Sequence, residues 1–321
     1  MEWGTKLRGL LIAGASMAAV ASTSFSKKDA LPKNPAEKLT EVLTTHFGND
    51  SVHSEAVFIL PFVDHRTTLP DNELIAVQQA KEAAYDIQRA FEAQGLPAFM
   101  MYDTSHAQVR VEDITRKVDS LQKLYHFNAV TIVNLSHGQL YNWQKNIYYN
   151  DTAIAKTVWQ KDSAAISHNT TIGEGYSTST RALYADMAAA GHFKRMDVAT
   201  FSCYAGAMTQ QEIDIAQPKG SVFVALSGDG QVNYTTTQTG FAEKLTAQSI
   251  QLGKIDADYL LAQIMVENVR NHKTDIVIAT SGQNNKTIFR TAKNMTDASA
   301  ANKDQIAQMQ TLSGIVKKPQ P

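Results

Sequence analysis

Two residues capable of nucleophilic chemistry each follow a short apolar segment of the sequence. His137 and Gly138 follow the run at 129–135 after one residue, Ser136, and Cys203 comes directly after the run at 196–202. In an open parallel sheet, ligands bind at the carboxyl ends of the strands. If the two runs form neighbouring strands, their ends lie roughly 5 Å apart. The imidazole and the thiol would then face one cleft.

The pair formed by His137 and Cys203 would support acyl transfer through a covalent intermediate. The thiolate attacks a carbonyl carbon, and the imidazole carries a proton to the leaving group. Gly138 has no Cβ, so its N–H can approach a developing oxyanion, and the N–H of Cys203 is the natural second donor. The alternative is that Cys203 is only a small core residue and His137 only a polar residue at a strand end.

Strands and helices alternate along the sequence. A continuous apolar run predicts a buried strand at 56–60, and five further segments rich in apolar or β-branched residues predict strands at 98–102, 129–135, 196–202, 221–226 and 275–280. Apolar residues at three- and four-residue steps predict helices at 71–94, 111–125, 180–190, 241–252 and 256–270, with Gly95 and Gly191 ending two of them. This alternation predicts a parallel α/β sheet with helices on both faces. The connection after the third strand contains an aromatic stretch, Tyr141–Tyr149, and no predicted strand.

The composition excludes several classes of function. The 321 residues include 30 Lys+Arg and 31 Asp+Glu, a net charge of −1, which argues against nucleic-acid binding through a broad basic surface. With 43% hydrophobic residues the chain is not intrinsically disordered. The single cysteine excludes a disulfide framework and a Cys-rich zinc site. The histidines contain no His-Glu-x-x-His motif, so we expect no metal site. Acyl transfer by a thiol and an imidazole requires no cofactor.

The N-terminus is typical of an exported protein. Lys6 and Arg8 precede an apolar run of 12 residues, Gly9–Val20, which is short for a membrane span. We therefore expect a signal peptide at 1–21 and a periplasmic or extracellular protein. The alternative is an uncleaved N-terminal membrane anchor. The remaining predicted divisions are a linker or propeptide at 22–54, a folded α/β domain at 55–290 and a polar tail at 291–321.

The order of these motifs resembles the caspase–legumain–clostripain superfamily of cysteine peptidases. A strand followed by His137-Gly138, a long connection, and a strand followed by Cys203 with Gly206 downstream carry the resemblance, which covers roughly residues 55–285. It implies a three-layer caspase-like α/β sandwich with a mostly parallel six-stranded sheet. It also implies a Cys203–His137 dyad, an oxyanion glycine at Gly138 and a peptide or protein substrate. The residues before Cys203 differ from the Gln-Ala-Cys of caspases and leave the subfamily open.

A substrate pocket is predicted from residues that follow two other strands. Asp64, His65 and Arg66 follow the first strand, and Ser227 and Asp229 follow the fifth. Asp229 could attract a basic side chain, although an aspartate between two glycines is also ordinary turn chemistry. The sequence therefore leaves the cleavage specificity open.

Two other functions compete with the peptidase. The chain could be a catalytically silent caspase-like interaction scaffold, with the aromatic stretch Tyr141–Tyr149 as its exposed binding surface. It could also be a glutamine-amidotransferase-like α/β enzyme. That fold needs small residues on both sides of its nucleophile turn, and Phe201 lies two residues before Cys203. The oligomeric state is left open.

Overall fold

The computed structural model describes residues 54–63, 71–104, 109–149, 163–172, 176–228 and 275–289. The predicted signal peptide, nearly all of the linker or propeptide, the helices at 241–252 and 256–270, and the polar tail lie outside the described residues. Within the described ranges, no helix is both long and apolar enough to cross a bilayer.

The described elements follow the predicted alternation of strands and helices. The strands are β1 Ala56–Leu60, β2 Ala98–Met100, β3 Ala129–Asn134, β4 His137–Asn142, β5 Ile147–Tyr149, β6 Ile166–Ile172, β7 Tyr176–Ser179, β8 Arg195–Thr200, β9 Val222–Ala225, β10 Ile276–Thr280 and β11 Gln283–Phe289. The helices are α1 Asp71–Ala93, α2 Val111–Tyr125, α3 Thr180–Gly191 and α4 Gln210–Ala216.

A seven-stranded sheet forms the middle layer, in the order β2-β1-β3-β8-β9-β10-β11. The first five strands of that order run parallel, whereas β10 is antiparallel to β9 and β11 is antiparallel to β10. The mostly parallel sheet is confirmed, with one strand more than the six predicted. The additional strand is β11, whose sequence, QNNKTIF, lacks the continuous apolar run that predicts the other strands.

Helices cover both faces of this sheet, as the alternation predicts. On one face α1 buries apolar residues at helical spacing, including Val77, Ile87 and Phe91, against alternate residues of the strands. On the other face α2, α3 and α4 pack against the intervening strand residues, such as Phe58 and Ile132. Burying each large aliphatic or aromatic side chain stabilises the fold by roughly 1.5–3 kcal/mol. The three-layer α/β architecture is confirmed.

A second, antiparallel sheet occupies the connection between β3 and α3, where no strand was expected. Its order is β5-β4-β6-β7. In β4 buried and partly exposed residues alternate, because only one face of this sheet is covered. Its sequence, His-Gly-Gln-Leu-Tyr-Asn, is too polar to give the apolar run of a strand buried on both faces. The sheet begins at His137, so it carries one of the two candidate catalytic residues.

The end of α3 differs by one residue from the prediction. Gly191 is the last helical residue, and His192, with φ of +50°, adopts the left-handed conformation that ends the helix. A Cβ on Gly191 would lie 2.0 Å from the ring of Phe193. The glycine is therefore required by the packing of Phe193 rather than by a turn.

Candidate active site

Parallel pairing of β3 with β8 brings the two candidate loops to one edge of the sheet. Asn134 lies opposite Thr200 in the register of the two strands. The backbone hydrogen bond from Phe201 N to Asn134 O, 2.7 Å long, extends the pairing beyond β8. His137 and Cys203 each lie three residues past these paired positions. Both are therefore at the carboxyl edge of the parallel strands.

The backbones of Gly138 and Cys203 are in direct contact. A Cβ placed on Gly138 would lie 2.0 Å from the carbonyl oxygen of Cys203 and 2.9 Å from its nitrogen. No side chain larger than hydrogen fits there without moving the backbone of Cys203. The close approach explains why glycine follows His137, and it puts the two loops side by side.

Cys203 is partly exposed between two buried neighbours. Ser202 and Tyr204 are each only 1% exposed. Tyr204 has φ of +61°, a conformation that costs a non-glycine residue about 1–2 kcal/mol, and a short 3-10 turn, Ala205–Ala207, follows it. This sharp reversal places the sulfur-bearing residue at the surface while the residues on either side remain in the core.

His137 lies at the start of β4 and is also partly exposed. Its ring packs against Phe62, which follows β1, with ring centroids 4.5 Å apart and a 52° angle between the planes. Phe62 is only 4% exposed, so the contact fixes one face of the imidazole against the protein. The other loop residues leave part of the ring open to solvent.

Hydrogen bonds from buried groups hold the loop that carries Cys203. The hydroxyl of Ser227 donates to Ser202 O at 2.7 Å and accepts from Ala205 N at 3.0 Å. The ammonium group of Lys286 donates to Gly206 O at 2.8 Å and to Met208 O at 2.6 Å. The carbonyls of the loop are therefore bound by two elements, β11 and the end of β9.

The structure identifies a second histidine at the site, His168, which the sequence gave no reason to select. Its Nε2 lies 2.8 Å from Cys203 O, and its Nδ1 lies 2.8 Å from Thr180 Oγ1. Burial lowers the pKa of His168 to about 4, so the ring is neutral at pH 7. The residue lies in the polar strand β6, and only the pairing of β6 with β4 brings it to Cys203.

A buried asparagine, Asn134, connects the loop that carries His137 to the loop that carries Cys203. The side-chain amide of Asn134 donates to Tyr184 Oη at 2.7 Å and to Thr170 Oγ1 at 3.4 Å, and its oxygen accepts from Ser136 N at 3.0 Å. Ser202 Oγ in turn donates to Ser136 O at 2.9 Å. These contacts fix the residues immediately before His137 and Cys203 relative to each other.

The predicted substrate pocket is largely untested by the structure. Asp64, His65, Arg66 and Asp229 lie outside the described residues. Ser227 is described, but its side chain is fully buried and its hydroxyl bonds backbone groups of the Cys203 loop. Ser227 therefore supports that loop and does not line a pocket open to substrate.

The aromatic stretch lies on the outer hairpin of the small sheet. Tyr141 on β4 and Tyr148 on β5 are in contact, with ring centroids 4.7 Å apart. Trp143 is 56% exposed and Tyr148 is 44% exposed. This hairpin therefore presents aromatic surface to solvent, and core packing accounts for only part of the stretch.

Comparison with solved structures finds four matching chains. The chain is similar to a solved structure of a secreted C11 cysteine protease from Bacteroides thetaiotaomicron, "iotapain", at 14% identity and a TM-score of 0.40. The similarity covers 71% of this chain and 67% of the other. No family model matches the chain, and a search of curated proteins found no match.

Proposed function

We propose that the chain is a cysteine endopeptidase that uses Cys203 as its nucleophile and His137 as its general acid and base. The observation that carries this proposal is the backbone contact between Gly138 and Cys203 at the carboxyl edge of β3 and β8. That contact supports a cleft in which a partly exposed thiol and a partly exposed imidazole meet the same bound group.

In the acylation step, the Cys203 thiol transfers its proton to His137 and the sulfur attacks the scissile carbonyl carbon. The C–S bond forms as the carbonyl oxygen becomes an oxyanion, which accepts hydrogen bonds from the N–H groups of Gly138 and Cys203. His137 then returns the proton to the leaving amine as the C–N bond breaks. The acyl group remains on the sulfur.

In the deacylation step, a water molecule attacks the thioester while His137 takes its proton. The same two N–H groups hold the second oxyanion. Collapse of this intermediate releases the carboxylic acid, and the proton on His137 returns to the sulfur. The cycle needs no metal or redox cofactor.

The exposed hairpin favours one other candidate, an interaction scaffold in which Cys203 is idle. Trp143 and Tyr148 then form a binding surface for a protein partner. This function requires the aromatic surface and is independent of the thiol, whereas the peptidase requires the thiol.

The test is covalent labelling with peptidyl acyloxymethyl ketones that carry Arg, Lys, Asn or Asp next to the ketone. We expect at least one of these probes to label the wild-type protein. Cys203→Ala should abolish the labelling, His137→Ala should slow it by roughly 100-fold, and the reactive probe should report the specificity.

A matched histidine control is available at the opposite edge of the sheet. His126 is exposed, ends α2 and adopts the left-handed conformation that asparagine also tolerates. His126→Asn should label at the wild-type rate. If no probe labels the wild-type protein and peptide libraries survive incubation with it, the peptidase proposal is wrong and the scaffold is favoured.

We also propose that the protein is exported and that residues 1–21 are removed. The basic residues and short apolar run of that segment support this. Intact mass of the mature protein should place its N-terminus near Ser22. A mature protein that retains Met1 would contradict signal cleavage and favour the membrane anchor.

A further inference from the structure

The direction of the Cys203 side chain depends on the two peptide groups that flank it. Peptide groups are planar and, in the described residues, none is cis. In a trans peptide the C=O and N–H point in opposite directions, so a hydrogen bond that holds one of them also orients the other. Two buried side chains hold these two peptide groups, one on each side of Cys203.

Ser227 holds the peptide group before Cys203. Its hydroxyl, which is fully buried, donates to Ser202 O at 2.7 Å. Because the peptide is trans, the N–H of Cys203 points away from Ser227. The same hydroxyl accepts from Ala205 N at 3.0 Å, which closes the turn beyond the cysteine. This arrangement fixes the direction of an N–H that the proposed mechanism directs at the oxyanion.

His168 holds the peptide group after Cys203. Its Nε2 lies 2.8 Å from Cys203 O, and a carbonyl oxygen can only accept, so Nε2 carries the proton. Nδ1 of the neutral ring must then accept, and Thr180 Oγ1 lies 2.8 Å from it. The ring is 2% exposed, so water does not compete for either contact. Gly138 leaves the space, because a Cβ there would lie 2.7 Å from Nε2.

We propose that His168 and Ser227 are positioning residues for the nucleophile: together they fix both backbone dihedrals of Cys203 and so aim its sulfur and its N–H into the cleft. This rests on the proposed function, in which Cys203 is the nucleophile. Neither residue touches the substrate. Their effect reaches the reaction through the backbone of Cys203.

The arrangement also links the nucleophile loop to the loop of the general base. Thr180 Oγ1, which contacts His168, lies 2.8 Å from Thr170 Oγ1, and Thr170 accepts from the amide of Asn134. Asn134 binds the backbone of Ser136, the residue before His137. A displacement of His168 therefore acts on both catalytic groups through buried contacts, at positions that solvent does not reach.

The experiment measures kcat and KM for a fluorogenic peptide, chosen with the probes described above, in Ser227→Ala and His168→Leu. We expect kcat to fall by roughly 100-fold, the effect of about 1 Å of misplacement in a reacting group, with KM within about threefold of wild type. Binding of the matching peptide aldehyde, whose adduct places an oxyanion in the site, should weaken in parallel. Alkylation by iodoacetamide, which needs no oxyanion donor, should change by less than about threefold.

Three further variants separate positioning from general stability. Ser281 is the matched control: it is buried, and its Oγ donates to the carbonyl of Gln217 at 3.0 Å, at the opposite edge of the sheet. Ser281→Ala should lose stability and keep its kcat. His168→Gln retains an N–H donor and should recover part of the kcat lost in His168→Leu. Thr180→Val keeps the imidazole and should lower kcat less than His168→Leu does.

The experiment distinguishes failure of the positioning proposal from failure of the proposed peptidase function. If the wild-type protein turns over peptides and Ser227→Ala or His168→Leu retains wild-type kcat and aldehyde affinity, the positioning proposal is wrong and the peptidase stands. If kcat falls equally in Ser281→Ala, the effect is one of stability and the positioning proposal is again wrong. If the wild-type protein shows no turnover and binds no aldehyde, the peptidase is wrong and the positioning proposal falls with it.

Discussion

The closest contact in the site predicts a severe effect from a single added methyl group. In Gly138→Ala the new Cβ would lie 2.0 Å from Cys203 O, whereas real Cβ atoms are at least 3.0 Å from such neighbours. A gap of at least about 1 Å must therefore open between β4 and the Cys203 loop. The atoms that must move are the backbone oxygen and nitrogen of Cys203 and Nε2 of His168, whose ring is buried and hydrogen-bonded at both nitrogens.

Two consequences of Gly138→Ala can be measured separately. Overpacking of this kind lowers the free energy of unfolding by about 1–3 kcal/mol, which urea denaturation would detect. A shift of about 1 Å in the nucleophile loop lowers kcat/KM by roughly 100-fold, which a fluorogenic peptide assay at a temperature well below unfolding would detect.

The control for Gly138→Ala is a glycine where only stability changes. Gly95 follows α1 with φ of +76°, and no atom lies within 4 Å of the position of its Cβ. Gly95→Ala should lower the free energy of unfolding by about 1–2 kcal/mol through backbone strain and leave kcat/KM unchanged. If Gly138→Ala retains wild-type kcat/KM, the backbone contact that carries the proposed function has been misinterpreted.

Two further predictions concern the histidine and the thiol. The pKa of His168 is about 4 in the folded protein against 6.5 for an unperturbed histidine, so as pH falls from 6.5 to 4 the unfolded chain binds a proton that the folded chain does not. The free energy of unfolding should fall by up to about 3 kcal/mol over that range and level off below it. Urea denaturation of His168→Gln at the same pH values should not show this fall. If the variant shows the same pH dependence as the wild type, the lowered pKa of His168 is not its cause. Because a partly exposed thiolate is open to oxidation, peptide turnover should decline in air and recover with dithiothreitol, and equal rates with and without reductant would count against Cys203 as nucleophile.

The elements that carry the two candidate catalytic residues could be predicted from the sequence because their signals are local. β1 and β3 are buried, and their sequences are largely apolar runs that predict strands of a parallel sheet, whereas the equally buried β8 also contains Arg195 and Asp197, which form an ion pair. The neighbouring position of β3 and β8 was a condition of the sequence-based prediction, and the structure confirms it. If β3 and β8 are neighbouring parallel strands, His137 and Cys203 lie side by side at the same edge of the sheet.

The surroundings of the proposed dyad could not be predicted because they depend on contacts between residues far apart in the sequence. His168 and Cys203 are 35 positions apart, and Ser136 and Ser202 are 66 apart. No local pattern marks a polar residue as the partner of a distant carbonyl. Ser227 shows the consequence: its place after β9 suggested a pocket residue, whereas its hydroxyl is used within the core.

The small sheet could not be predicted for a different reason. β4 alternates between buried and partly exposed residues and β6 is largely buried, but both are rich in polar residues, and β5 has only three residues. Strands of this kind are recognised mainly by alternation over several residues, and the aromatic residues near β5 obscure it. The prediction of a long connection was therefore correct about its length and incomplete about its structure.

The central claim is that a peptide acyl group becomes attached to Cys203 during turnover. Rapid acid quenching of the protein with a peptide ester, followed by peptide mapping in a mass spectrometer, tests it directly. The proposed function predicts an adduct with the mass of the acyl fragment on the peptide that contains Cys203 in the wild-type protein, and no such adduct in Cys203→Ala. Turnover without any adduct on that peptide, or undiminished turnover in Cys203→Ala, would contradict it.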